Sequence, residues 1–107
     1  MASVSELWLV DFGEPANARP ALILGPPDAF GQAFPFLILA PLTTTPRGLS
    51  LHVEVDDSDS TGLVETSYVQ CELLRSVSKD RLIRRLGSVP FGVSLRVEMV
   101  VRDLLNH

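Results

Sequence analysis

Two short sets of residues in this 107-residue chain carry side chains suited to holding an oxyanion. Arg19 precedes Pro20, where a polar stretch runs into the apolar Ala21-Leu22-Ile23-Leu24. Thr43-Thr44-Thr45 follows a second apolar run and leads into the turn Pro46-Arg47-Gly48. A guanidinium stays charged at physiological pH and grips phosphate oxygens in a fork. A hydroxyl can donate to the same oxygens. Both sets also have a plain reading, in which Arg19 is a solvated loop residue and the threonines are turn formers. Residue type alone leaves both readings open.

Other chemical signals carry less. Ser76-Val77-Ser78-Lys79 matches the Ser-x-x-Lys of penicillin-binding proteins, but the partner motifs are missing. His52 falls on the polar side of an alternating stretch and reads as a solvated strand histidine, and His107 is the last residue. Neither has a Cys, Asp or His at metal-ligand spacing, so no metal and no cofactor is expected. Cys71 reads as a small packed residue rather than a nucleophile. No glycine-rich loop precedes a helix, so no phosphate cradle of that kind is expected. Trp8 reads as core.

The elements that must position these side chains are short. Leu7 to Phe12 is rich in apolar and β-favouring residues and predicts a strand. Ala21 to Leu24 and Phe36 to Ala40 are continuous apolar runs, suited to strands buried on both faces. Leu49, Leu51, Val53 and Val55 alternate with Ser50, His52, Glu54 and Asp56, predicting a strand with one wet face. The acidic stretch from Asp56 to Thr61, ended by Gly62, reads as a loop, and Tyr68 to Cys71 as a fifth strand. Ser78 is placed to cap a helical turn at Lys79 to Leu82. Ile83 to Val89 is ambiguous between a continuing helix and a strand. Val93, Val97, Val100, Val101 and Leu104 fall at helical spacing and predict a closing helix with one apolar stripe. Leu95 and Met99 lie one turn apart on roughly the opposite side, and nothing in a small domain obviously covers them. Five short strands and a final helix suggest a small closed or half-closed barrel.

A chain this short is expected to form one domain over residues 1–107. Yet 46% of its residues are hydrophobic, more apolar material than so small a core hides easily. A two-fold homodimer would cover the rest. No apolar stretch reaches the roughly 18 residues of a membrane span, and no signal peptide is recognisable, so a cytoplasmic location without a membrane is expected. The single cysteine excludes an internal disulfide framework. A net charge of −4 argues mildly against a general nucleic-acid binder. The bases nonetheless cluster at Arg75, Lys79, Arg81, Arg84 and Arg85, so a locally basic groove is compatible with the acidic whole. The plain alternative is a solvated face partnered by Asp80.

Taken in order, several segments resemble the MazF/PemK family of bacterial toxins. They are Leu7-Trp8-Leu9-Val10-Asp11-Phe12, Arg19-Pro20 with its apolar strand, and Leu39-Ala40-Pro41-Leu42-Thr43-Thr44. His52-Val53-Glu54-Val55, Gly62-Leu63 and Tyr68-Val69-Gln70-Cys71-Glu72 follow. Leu74 to Leu82 is the most specific segment, and the apolar terminal helix completes the set. The resemblance implies a mainly β fold, a small SH3-like antiparallel barrel with a short helix and a C-terminal helix, which would make Ile83 to Val89 a strand. It implies a toxin of a type II toxin–antitoxin system, cutting single-stranded RNA without a metal, as a homodimer restrained by a MazE-like antitoxin. Arg19 and Thr43 then stand as catalytic residues, with Thr44 the alternative to Thr43. Thr44, Arg47, Gln70, Arg75, Lys79 and Arg81 stand as RNA contacts, and Leu95 and Met99 near the dimer seam or the antitoxin.

RNA supplies its own nucleophile, the 2′-hydroxyl, so a protein need only move protons and stabilise the added phosphate charge. A guanidinium suits the charge, while its pKa, above about 12, makes it a poor base. The chain departs from the family in a shorter loop at Gly13 to Ala18, in Val4-Ser5 where an Arg-Gly is usual, and in its acidity. The alternatives are an inactive interaction module of the same fold, or a toxin like the CcdB-like toxins, which share the fold, bind DNA gyrase and cut nothing. Those toxins use a C-terminal tail containing tryptophan, whereas this chain ends Leu104-Leu105-Asn106-His107.

Overall fold

The computed structural model describes residues 2–13, 18–27 and 34–106, so most of the Gly13 to Ala18 loop, and His107, lie outside the described residues. The strands are β1 (Glu6–Asp11), β2 (Ala18–Gly25), β3 (Phe36–Thr43), β4 (His52–Val55), β5 (Ser67–Gln70), β6 (Arg75–Ser78) and β7 (Leu82–Ser88). A helix, α1 (Phe91–Leu105), closes the chain, and 3-10 turns occupy Cys71–Leu73 and Lys79–Arg81. All ladders are antiparallel, in the order β4-β5-β3-β2-β1-β7. β6 pairs with the first half of β3, Phe36 to Leu39, and β5 with its last two residues, Leu42 and Thr43. β3 thus changes partner half-way, and the sheet wraps into a half-closed barrel in which no ladder joins β4 to β7 among the described residues.

The apolar runs explain why β2 and β3 lie at the centre. Ala21, Leu22 and Ile23 are consecutive and fully buried, as are Leu39 and Ala40, so both faces of these strands are covered. Period-two geometry then divides the side chains between two cores. Leu7, Leu22, Ala40, Leu42, Val53 and Val69 join one, and Val10, Ala21, Ile23, Leu37, Leu39 and Val77 the other. Trp8 packs on the second core, and its Nε1 donates to Glu6 Oε1 at 3.0 Å.

Helix α1 starts after Pro90 and lays Val93, Val97, Val100 and Val101 on the first core, over β4 and the first 3-10 turn. Leu104, expected in that stripe, is exposed instead. Leu95 and Met99 are exposed, and so is Phe91 one turn earlier. Ser78 caps the turn at Lys79, its Oγ accepting from the Asp80 N–H at 3.3 Å. The ambiguous Ile83 to Val89 stretch is strand β7 as far as Ser88, paired with β1.

Three expectations fall short. The Leu49 to Val55 alternation gives a strand only from His52, and Leu49 is exposed. Arg75 to Ser78 is a strand that the reading lacked, since one apolar residue among three polar ones leaves little pattern. β2 and β3 also run further than their apolar cores. Arg19 and Thr43 therefore sit inside strands, on rigid backbone rather than in loops.

Candidate functional site

Register brings the candidate residues to one face. Opposite residues of an antiparallel pair share a face. Thr43 lies opposite Tyr68, Tyr68 opposite Glu54, and Gln70 opposite His52. On the other side of β3, Ala21 lies opposite Pro41, and two residues further along that register come Arg19 and Thr43. Arg19, Thr43, Tyr68, Gln70, His52 and Glu54 thus share the face opposite the core residues Leu42, Val53 and Val69.

Arg19 is the best-defined group on that face. Its Nη2 donates to the Leu42 carbonyl at 3.0 Å and to Gln70 Oε1 at 2.7 Å. Both acceptors are neutral. Among the described residues no carboxylate lies within ion-pair distance of Arg19, and Nε and Nη1 have no acceptor. A guanidinium oriented in this way keeps its full charge and its remaining donors for an anion. Thr43 completes β3, and its Oγ1 accepts from the Thr45 N–H at 3.2 Å, which still leaves the hydroxyl proton to donate. Thr44, one residue on, is exposed at the bend.

Next to this centre lies a cavity of about 320 Å³, whose walls include Arg47, His52, Glu54, Tyr68 and Arg96. His52 is not the solvated residue that its strand position suggested. Its side chain is only 3% exposed, and Nε2 lies 2.8 Å from Glu72 Oε2 in the first 3-10 turn. The ring nitrogen donates there and the carboxylate oxygen accepts. The ring's Nδ1 is buried with no partner among the described residues. Burial, and then the neighbouring Glu72 charge, push the Cys71 thiol up to about 11, which makes it inert as a nucleophile.

A second concavity of about 200 Å³ opens where β1 ends beside β6, lined by Asp11, Phe12, Arg75, Ser76, Ser78 and Arg81. The Arg75 guanidinium sits over the Phe12 ring, 5.2 Å from its centroid, and Arg81 Nη1 lies 3.9 Å from Asp11. Arg85 is committed elsewhere, its Nε donating to Glu6 at 2.8 Å.

The model for PemK-like, MazF-like toxins of type II toxin–antitoxin systems matches residues 4–105. The chain belongs to this family. Among curated proteins none matches it. Solved MazF structures share the fold. The Mycobacterium tuberculosis toxin MazF-mt6 is 25% identical with a TM-score of 0.80, over 94% of this chain and 95% of that one. An endoribonuclease from a mycobacterial species, solved with its cognate antitoxin, is 24% identical at a TM-score of 0.83, over 98% and 95%. A MazE–MazF complex from Deinococcus radiodurans is 22% identical at 0.81, again over 98% and 95%.

In this MazF-like chain the structure brings Arg19, Thr43 and Gln70 together and places Arg47 on the neighbouring cavity. Gln70, expected as an RNA contact, is 8% exposed, with its Oε1 engaged by Arg19. Arg75 and Arg81 gather at the second concavity, and Lys79 opens the 3-10 turn, its backbone N–H donating to Pro35 O at 3.0 Å. Leu95 and Met99 lie away from both on the outer side of α1. The sequence reading missed Glu54, Tyr68, Glu72 and Arg96. A usable signal existed for Glu54, which shares the face of His52 two residues earlier.

Proposed function

We propose that this MazF-like toxin is a sequence-specific endoribonuclease that cuts single-stranded RNA without a metal ion. The observation that carries the reading is Arg19, held beside Thr43 by two neutral acceptors with its charge uncompensated among the described residues. In the reaction the substrate's 2′-oxygen attacks the adjacent phosphorus as its proton leaves. The bond to the 5′-oxygen breaks, and that oxygen takes up a proton. The products are a 2′,3′-cyclic phosphate and a 5′-hydroxyl. Arg19 stabilises the negative charge gathered on the phosphorane, and the Thr43 hydroxyl donates to one of its oxygens. Thr44 and Arg47 contact the RNA near the cut, and Arg75, Lys79 and Arg81 farther along the strand.

The reading extends to assembly. A homodimer forms in the bacterial cytoplasm, and a MazE-like antitoxin holds the toxin inactive. The exposed Leu95 and Met99 lie near the dimer seam or the antitoxin contact, where exposed apolar pairs find cover. The test is incubation of pure protein with a long single-stranded RNA in excess EDTA, with both new ends analysed. Discrete cuts ending in cyclic phosphate and 5′-hydroxyl support the reading. A strict need for added magnesium, or RNA left intact, refutes it.

A further inference from the structure

The geometry points to Gln70 as a positioning residue for Arg19, one whose neutrality matters as much as its reach. This rests on the ribonuclease reading for its effect on rate, though not for the contact itself. Gln70 Oε1 receives Arg19 Nη2 at 2.7 Å, shorter than the bond to the Leu42 carbonyl at 3.0 Å. The amide can hold that place because the residue that carries it is itself held. Gln70 is the last residue of β5, 8% exposed, and the 3-10 turn begins at the next residue. That turn carries Glu72, which reaches back 2.8 Å to His52, the residue opposite Gln70 on β4. The strand end, the turn and the His52–Glu72 pair therefore fix the backbone that carries the amide.

The chemical consequence lies in the choice of acceptor. A carboxylate at position 70 would make a stronger bond to the guanidinium and orient it at least as well. It would also offset the positive charge that the phosphorane needs. An amide orients without offsetting. A purely structural role would make glutamate an adequate or better substitute. A positioning role that must preserve charge makes it the worst one.

The experiment compares Gln70→Glu and Gln70→Ala, each alone and combined with Arg19→Ala, by kcat and KM on one RNA substrate. NMR exchange of the Arg19 guanidinium protons is measured in the single variants, and thermal melting confirms that each variant folds. Gln70→Glu is expected to lower kcat by about 10²–10³-fold, the scale for losing a transition-state charge partner. Gln70→Ala leaves the charge but loosens its aim, and should lower kcat less, by about 10-fold to 10²-fold. KM should move little in Gln70→Ala. In the Arg19→Ala background the two substitutions should be equivalent, because both act through Arg19. The guanidinium protons should exchange slowly in wild type and Gln70→Glu, and fast in Gln70→Ala. Glutamate matching or exceeding alanine in kcat overturns the inference, as do losses that add to that of Arg19→Ala. Wild-type protein that leaves RNA intact overturns the ribonuclease reading instead. The exchange measurement then decides the contact alone, and unchanged protons in Gln70→Ala refute it.

Discussion

His52 Nε2 lies 2.8 Å from Glu72 Oε2, joining β4 to the turn after β5 through a side chain that water scarcely reaches. His52 forms part of the cavity wall as well as making the bond. His52→Ala should therefore lower unfolding stability by about 2 kcal/mol, the middle of the range for losing a buried, bonded group. Glu72→Gln, at a partly exposed position that keeps an acceptor, should cost less. Urea midpoints for the two variants and their combination decide it. A His52→Ala midpoint equal to wild type would mean that the contact contributes nothing.

Gly62 and Gly87 are where the acidic loop meets β7. Ser88 N–H donates to Ser60 O at 2.9 Å, bringing two backbones within touching distance. Gly62 has φ +72°, and a Cβ there would collide with Leu86 O; a Cβ on Gly87 would collide with Ser60 O and the Thr61 carbonyl. Backbone cannot step aside as a side chain can. Gly62→Ala and Gly87→Ala should each destabilise by about 3 kcal/mol or more, at the upper end for single substitutions. Thermal melting tests this, and a loss under about 1 kcal/mol at both sites would show that the loop yields.

The strands with apolar runs were legible because burial on both faces writes a continuous signal. Arg19 and Thr43 were legible as residues at the edges of those runs. Their incorporation into β2 and β3 was not, because polar residues continue a ladder without any apolar mark. β6 escaped for a related reason: only Val77 of Arg75-Ser76-Val77-Ser78 reaches a core. The burial of His52 and Gln70 was hidden by period-two logic itself, which assigns them to the wet face. What covers that face comes from elsewhere in the chain, in Arg19, Glu72 and α1, and no local pattern announces contacts between residues 19 and 70.

Stability should depend on pH through Glu6. Burial alone would raise its pKa, but it accepts from the Trp8 indole at 3.0 Å, from the Ser3 N–H at 2.8 Å and from Arg85 at 2.8 Å. Together these hold it below its ordinary value of 4.5. A carboxylate depressed on folding adds stability above its unfolded pKa and loses that stability as the pH falls through the folded value. Glu6→Gln should accordingly melt below wild type at pH 7, and the gap should narrow as the pH is lowered beneath 4.5. A gap that stays constant from neutral to acid pH would remove Glu6 as its source.

The assignment of Arg19 and Thr43 is tested by comparing three alanine variants. Arg19→Ala removes the charge that the phosphorane meets, and should lower cleavage by about 10²–10³-fold while the fold survives. Its side chain is partly exposed and, among the described residues, bonds only to Leu42 O and Gln70, so its loss uncovers little core. Thr43 and Thr44 are adjacent in sequence, yet successive residues of an extended chain point to opposite sides. Thr43 lies opposite Tyr68, two residues along the register from the Ala21–Pro41 pair, on the face that carries Arg19. Thr44 lies past the strand, exposed at the bend. Thr43→Ala should therefore cost at least about 10-fold in kcat, the rate equivalent of one hydrogen bond to a charged centre. Thr44→Ala should leave kcat nearly unchanged and act, if at all, on KM. The reverse order, with Thr44→Ala the more damaging, would move the hydroxyl donor to Thr44. Toxicity on induced expression gives a second readout, because an Arg19→Ala protein that is folded and fully toxic would contradict the catalytic assignment outright.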